Sequence, residues 1–368
     1  MFLIHASQLA KSLFTVATST MPDDKEKIAS IISSAPERQR PLLKWFGAFV
    51  QKKRTGVLYP TSVAIDTTLA CNFACPHCYI ADDLYSPTKE NVERGLSVEG
   101  WTRKFEELHS QNPFLFHASW VGGEPMLRRN LLEQGVKHFS YNWIHTNGYF
   151  GFPIDLGDEN HKITYIGSID GDIKHHDKMR PTRGASQPTY ERILNNIRNS
   201  KSSSIIVHTV ISPDNSEFLG AMLKELYDTG RVKAVGFSFL SPQKGSQVFE
   251  PEQRDEIVDQ LLGYRRQYGN FIFDTPSILR AMRSGQIPYT YADGCLIKIR
   301  GDGTGGNIPL NAYGLVKEQC VMGPEQSCEE CGCEIPAQYS GVFDGWTVLE
   351  RSPVFGRLLD YTIKVNRR

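Results

Sequence analysis

The sequence predicts an α/β protein: a partial barrel of six β/α units, preceded by a helical extension and followed by a small cysteine-rich α+β module. Three observations carry this. From Ser62 to Phe239, short runs rich in β-branched and aromatic residues alternate with helical stretches, the rhythm of parallel β/α units. Before residue 59 the apolar positions keep helical spacing, and beyond residue 286 glycine and cysteine crowd together. No repeat or low-complexity tract interrupts the 368 residues, a length that can bury a large core without metal or disulfide support.

The extension, 1–58, holds two or three helices broken near Pro22 and around Pro36 and Pro41. Its first 20 residues are interrupted by His5 and Lys11 with no basic region before them, so they read as a docking helix rather than a secretory signal. Leu42–Val50 followed by Lys52-Lys53-Arg54 is amphipathic. Packing on the barrel is expected of it, with an interfacial membrane contact as the alternative. The barrel core, 59–285, draws its strands from 63–66, 114–117, 143–145, 163–166, 205–208 and 234–239, with helices near 126–139, 189–200 and 216–229. A TIM-like barrel gathers its site at the C-terminal ends of such strands. The module, 286–345, is expected to carry a hairpin at Asp302-Gly303, and the tail, 346–368, to pack on the barrel. Asp302-Gly303-Thr304-Gly305-Gly306 is too isolated for a phosphate loop.

Composition excludes several classes. Lys plus Arg and Asp plus Glu stand at 41 each, so there is no overall positive field for nucleic acid. No apolar run reaches the roughly 18 residues a membrane-spanning helix needs. Eight cysteines in a chain neither small nor visibly secreted read as metal sites rather than a disulfide framework, and the expected compartment is the cytoplasm.

Cys71-Asn72-Phe73-Ala74-Cys75-Pro76-His77-Cys78 follows the first strand directly. Three thiolates on one loop suit an iron–sulfur cube with one iron left open. A structural zinc site is the other reading, and it needs a fourth ligand, for which His77 is the candidate on the loop. Near the C-terminus Cys295, Cys320, Cys328, Cys331 and Cys333 are enough for a second, closed cubane or an all-cysteine zinc site.

The Cys71–Cys78 pattern after a first barrel strand resembles the signature of the radical S-adenosylmethionine (SAM) enzymes. Gly122-Gly123-Glu124-Pro125 resembles that family's GGEP motif, and Thr146-Asn147-Gly148 falls at the end of the third strand. Ser168-Ile169-Asp170-Gly171 followed by His176-Asp177 and Arg180 is similar to the SxDG…HDxxR of its sulfatase-maturing and peptide-modifying subgroup. The resemblance covers about 60–245. It implies that Cys71, Cys75 and Cys78 hold a [4Fe–4S] cluster and that SAM lies against His77, Tyr79, Gly122, Gly123, Glu124, Pro125, Thr146, Asn147, Ser168, Asp170 and Arg180. Glu124 is expected at the methionine amine, Ser168 at the ribose or carboxylate, and Arg180 or Arg183 at the carboxylate. The C-terminal cysteines look like the family's Twitch or reduced SPASM module. This implies one auxiliary [4Fe–4S] cluster on Cys295, Cys320, Cys328 and Cys331, with Cys333 spare or in place of Cys331. Five residues separate Gly314 from Cys320 where the family usually has four.

The activity implied is reductive cleavage of SAM to a 5′-deoxyadenosyl radical that abstracts hydrogen from a peptide, protein or small-molecule substrate. The implied reductant is a flavodoxin or ferredoxin. The same cysteines also fit a non-catalytic iron–sulfur carrier, or zinc sites of an interaction module. No Rossmann-type cobalamin module is evident. His208, Asp172 and Tyr149 are candidates to face the cavity, each with a structural role favoured, and no catalytic acid or base is named.

Overall fold

The computed structural model describes residues 25–37, 40–41, 43–44, 47–48, 59–184, 188–202, 204–241, 248–285 and 307–317. The five C-terminal cysteines, the hairpin at Asp302-Gly303, the tail from 346 and the first 24 residues lie outside them.

In chain order the elements are α1 (Lys25–Ser34), β1 (Ser62–Thr68), α2 (Lys89–Glu93), α3 (Val98–Gln111), β2 (His117–Gly122), α4 (Arg129–Gly135), β3 (Tyr141–Thr146), β4 (Lys162–Ser168), α5 (Ile173–Met179), α6 (Tyr190–Arg198), β5 (Ile205–Ile211), α7 (Leu219–Asp228), β6 (Ala234–Phe239), α8 (Pro251–Tyr268), α9 (Pro276–Ala281) and β7 (Asn307–Leu310). The strands form one sheet in the order β6-β5-β4-β3-β2-β1-β7, and every pair is parallel. Six of the seven are the predicted units, so the α/β partial barrel stands. The seventh, from the stretch assigned to the cysteine-rich module, adds to the β1 edge with Ser62 opposite Asn307.

Two elements differ from expectation. The second strand runs 117–122 rather than 114–117, because Phe114 and Leu115 are buried outside the ladder while Ala118 and Trp120 supply the alternating core positions. The helix expected over 126–139 is α-helical only over Arg129–Gly135, with 3₁₀ turns on either side. Gly135 is required there, since a Cβ would lie 2.3 Å from the Trp120 ring.

Strand alternation separates two faces. Val63, Ile65, Ala118, Trp120, Ile144, Val207, Val235 and Phe237 join the apolar core. The alternate positions, among them Asp66, Ser119, His145, Ser168 and His208, point to the other face, which is the polar lining of the barrel. α3, which the sequence reading did not single out, packs Trp101, Phe105 and Leu108 into that core. It is started by Ser97, whose hydroxyl accepts the Gly100 N–H at 3.1 Å.

Candidate functional site

The loop after β1 is closed by the chain itself. The Cys71 N–H donates to the Tyr85 carbonyl at 3.0 Å and the Tyr85 N–H to Leu69 at 2.9 Å, which pins its base. Its middle is pinned from the far side of the barrel: the Ala74 N–H donates to the Pro181 carbonyl and the Arg183 N–H to Asn72, both at 2.8 Å. Phe73 bridges Thr182 in antiparallel fashion. Cys71 is buried, and Cys75 and Cys78 are half-buried. Burial pushes the Cys71 thiol up to about 12 and the Cys75 thiol up to about 11, and it raises Cys78 as well. Such thiols become thiolates when a metal centre supplies the compensating charge.

The motif glycines let the backbone after β2 pack closely on the chain. A Cβ on Gly122, whose φ is +103°, would meet the Thr68 carbonyl oxygen at 2.6 Å, and one on Gly123 would meet that of Ala70 at 2.2 Å. The backbone after β2 thus lies directly on the start of the cysteine loop, with the Glu124 N–H donating to the Ala70 carbonyl at 2.9 Å. Pro125 opens the 3₁₀ turn that follows and is buried.

Both motif carboxylates have protein partners. Glu124 Oε1 accepts from the Met126 N–H at 3.0 Å and the Thr146 hydroxyl at 2.8 Å, and Oε2 accepts from the Asn147 N–H at 2.7 Å. Its burial outweighs these donors and raises its pKa to about 7. Asn147 Nδ2 in turn reaches Asn72 Oδ1 at 2.8 Å, so the ends of β2 and β3 and the cysteine loop form one hydrogen-bonded unit. Asp170, fully buried, accepts from Arg180 Nε at 2.6 Å and lies 3.1 Å from His77 Nε2, both at Oδ2, while Oδ1 accepts the Val210 N–H at 2.9 Å. Burial alone would raise the Asp170 carboxyl, but the Arg180 charge and the His77 contact hold it well below the usual range.

His176 and Asp177 are bonded within the framework. His176 is fully buried and its Nδ1 accepts the Asp170 N–H at 3.2 Å. Asp177 Oδ1 gathers the Thr189 N–H, the Thr189 hydroxyl and the Tyr190 N–H at the start of α6. Of the remaining candidates, Ser168 ends β4 beside His208, and Tyr79 is 43% exposed. Asp172 caps α5 and pairs with His175 at 2.6 Å, and Tyr149 packs under Arg192 at 3.7 Å. The sequence reading missed Asn72, legible only as the neighbour of Cys71. It also missed Lys317, whose Nζ lies 2.5 Å from Asp66 Oδ2 on the barrel lining.

The residues present fit an iron–sulfur cluster. Around the loop three buried nitrogens, Asn72 Nδ2, His77 Nδ1 and Arg183 Nε, have no protein partner, as expected where a bound group is to receive them. Among the described residues no three Cys, His, Asp or Glu side chains converge closely enough for a single ion, and His77 is turned to Asp170. A tetrahedral zinc demands that convergence. A cubane spreads its thiolates over different irons. A separate cleft of about 490 Å³, lined by Arg40, Lys44, His109 and Lys137 among others, lies away from all these groups.

No family model matches the chain. An uncharacterised protein of Methanocaldococcus jannaschii is 24% identical over 195 residues, 49% of this chain and 63% of that protein, so the match spans less than two thirds of the relative. Among solved structures, Streptococcus suis SuiB bound to S-adenosylmethionine superposes with a TM-score of 0.53 at 14% identity, covering 90% of this chain and 76% of its own. The enzyme anSMEcpe, with bound AdoMet and the Cp18Cys peptide, gives 0.51 at 16% identity, covering 71% and 74%. Both are radical SAM enzymes, and the chain has the partial-barrel fold that they share.

Proposed function

We propose that the protein is a radical SAM enzyme, an oxidoreductase or maturase acting on a peptide. The observation that carries this reading is the convergence at one end of the barrel: three thiols after β1, with Glu124, Thr146–Asn147 and Asp170–Arg180 from three further strand ends hydrogen-bonded to that loop or packed against it. When bound, a [4Fe–4S] cluster held by Cys71, Cys75 and Cys78 would supply the one-electron chemistry for reductive cleavage of SAM and, through it, hydrogen abstraction from the substrate. The protein's part is to hold the loop rigid from both sides and to keep the surrounding dipoles fixed. The peptide preference is supported by the peptide bound to anSMEcpe and by the hydrogen-bonding barrel lining, where Asp66, Ser119, His145, Ser168 and His208 stand in place of apolar side chains. The auxiliary [4Fe–4S] cluster on Cys295, Cys320, Cys328 and Cys331 and a flavodoxin or ferredoxin reductant belong to the same proposal.

The test is anaerobic reconstitution followed by iron and sulfide analysis and incubation with SAM and dithionite. Release of 5′-deoxyadenosine, lost when Cys71, Cys75 or Cys78 is replaced by Ala, is the expected result. A fully loaded protein that leaves SAM intact favours the iron–sulfur carrier instead.

A further inference from the structure

We propose that the cleft at the far end of the barrel from the cysteine loop is a binding site for a small organic phosphate, held at Arg40, Lys44 and Lys137. The site goes beyond the radical SAM reading and does not depend on it.

Its place follows from its walls. Ser140 and His161 line the cleft, and they immediately precede β3 and β4. The cleft therefore lies at the N-terminal ends of the strands, whereas the cysteine loop follows the C-terminal end of β1. The end of α1, the residues after it and the end of α3 supply the other walls. The volume is about 490 Å³, within the range of about 300 to 1,000 Å³ usual for small-molecule pockets, and it leaves room for more than a bare ion.

Arg40 and Lys44 are held in place without being neutralised. The backbone at 40–41 and 43–44 is helical, so the two cations stand one turn apart, a spacing at which like charges work against a helix. Arg40 donates from Nε to the Ala35 carbonyl and from Nη2 to the Ser33 carbonyl, both at 3.1 Å, and Lys44 Nζ donates to the Leu115 carbonyl at 2.6 Å. These carbonyls carry only partial charge. A guanidinium has five N–H donors and an ammonium three, so three on Arg40 and two on Lys44 are unused among the described residues. Burial, and after it the Arg40 charge, push the Lys44 pKa down to about 8, a crowding that a bound anion relieves. Lys137 enters from the 3₁₀ turn before β3. None of the three makes an ion pair among the described residues.

The charge balance selects the ligand. Against these three cations the described lining offers one carboxylate, Glu37, an excess of two. The imidazoles change this little: His109 Nε2 lies 2.8 Å from the His138 carbonyl oxygen and burial pushes its pKa down to about 4, while His161 is paired with Asp158. A phosphate ester brings close to two negative charges and three strong acceptor oxygens, and a guanidinium fork suits it. A carboxylate brings one charge and leaves the excess half compensated. Ile32, Pro113 and Phe139 in the same wall give the organic part an apolar surface.

The experiment is isothermal titration calorimetry of the full chain at pH 7 with phenyl phosphate, inorganic phosphate and citrate. Phenyl phosphate is expected to saturate one site and to bind more tightly than the other two. Arg40→Gln and Lys44→Gln should each weaken it by about tenfold or more, the size of one hydrogen bond to a charged group, and Lys137→Ser by about threefold, as befits an exposed charge. If Arg40→Gln or Lys44→Gln fails to fold, Lys137→Ser still decides, because the Lys137 side chain makes no hydrogen bond among the described residues. No saturable binding of phenyl phosphate overturns the proposal, as does unchanged affinity in the folded variants. Inorganic phosphate or citrate binding as tightly as phenyl phosphate overturns the organic-phosphate assignment, and displacement by SAM moves the ligand to the other end of the barrel and overturns the site. A chain that cleaves SAM but binds no phenyl phosphate removes this inference alone; one that binds phenyl phosphate but leaves SAM intact removes the radical SAM reading alone.

Discussion

Glu124 Oε2 accepts the Asn147 backbone N–H at 2.7 Å, tying the end of β2 to the end of β3 through a carboxylate that solvent barely reaches. The three donors it satisfies are the reason a charged residue persists at that depth: each would otherwise be buried without an acceptor.

Glu124→Gln is therefore expected to destabilise the protein. The amide must present an N–H to one of three groups that already donate, which leaves at least one buried donor unsatisfied at about 1–3 kcal/mol. The urea midpoint should fall, and cysteine alkylation should show the loop loosened. An unchanged midpoint with unchanged alkylation counts against the tie.

Gly123→Ala tests the contact between the β2 end and the cysteine loop. Its Cβ would sit 2.2 Å from the Ala70 carbonyl oxygen, and backbone on backbone has no soft way to give. A loss of about 1–3 kcal/mol is expected, accompanied by impaired iron uptake on reconstitution. A stable, iron-competent variant would show that the loop moves freely.

Buried imidazoles set an acid limit on the fold. Burial lowers the His176 pKa from 6.5 to about 4, so below 6.5 the unfolded chain takes up a proton that the folded chain refuses. Stability is lost as pH falls from 6.5 toward 4. Glu124 has the opposite sign: with its pKa raised from 4.5 to about 7, stability is lost as pH rises across that interval. The comparison is therefore made between variants. His176→Asn keeps an acceptor for the Asp170 N–H and should show a shallower loss of urea midpoint between pH 6.5 and 5 than wild type. Parallel curves would assign the acid sensitivity elsewhere.

The Asp66–Lys317 pair predicts non-additivity. Removing one partner leaves a buried charge, a loss on the order of 3–5 kcal/mol for fully buried pairs and less here because Lys317 is 20% exposed. Lys317→Met should cost more than the Lys317→Met, Asp66→Asn double variant. A double-mutant cycle by chemical denaturation measures the coupling, and additive losses would mean that the pair contributes nothing.

Much of this was determined by the chain's own sequence. Cys71, Cys75 and Cys78, the glycines at 122 and 123 and the strand ends at Thr146 and Ser168 could be read because each lies at a switch from a β-rich run to turn chemistry, a local signal. The alternating apolar positions likewise specify six parallel units, since burial of one face is a period-two pattern. Only the tertiary structure decided what the polar groups do. Phe114 and Leu115 look like strand but fill the core, because in a run of apolar residues periodicity does not say which pair the ladder takes. Asp170 and Glu124, expected against a ligand, also bond to Arg180, His77, Thr146 and Asn147, partners up to 93 residues away in sequence, from His77 to Asp170. Hydrogen bonds over such separations exist only once the barrel closes the distance, and it is this closure that turns three cysteines on a loop into a site held from both sides.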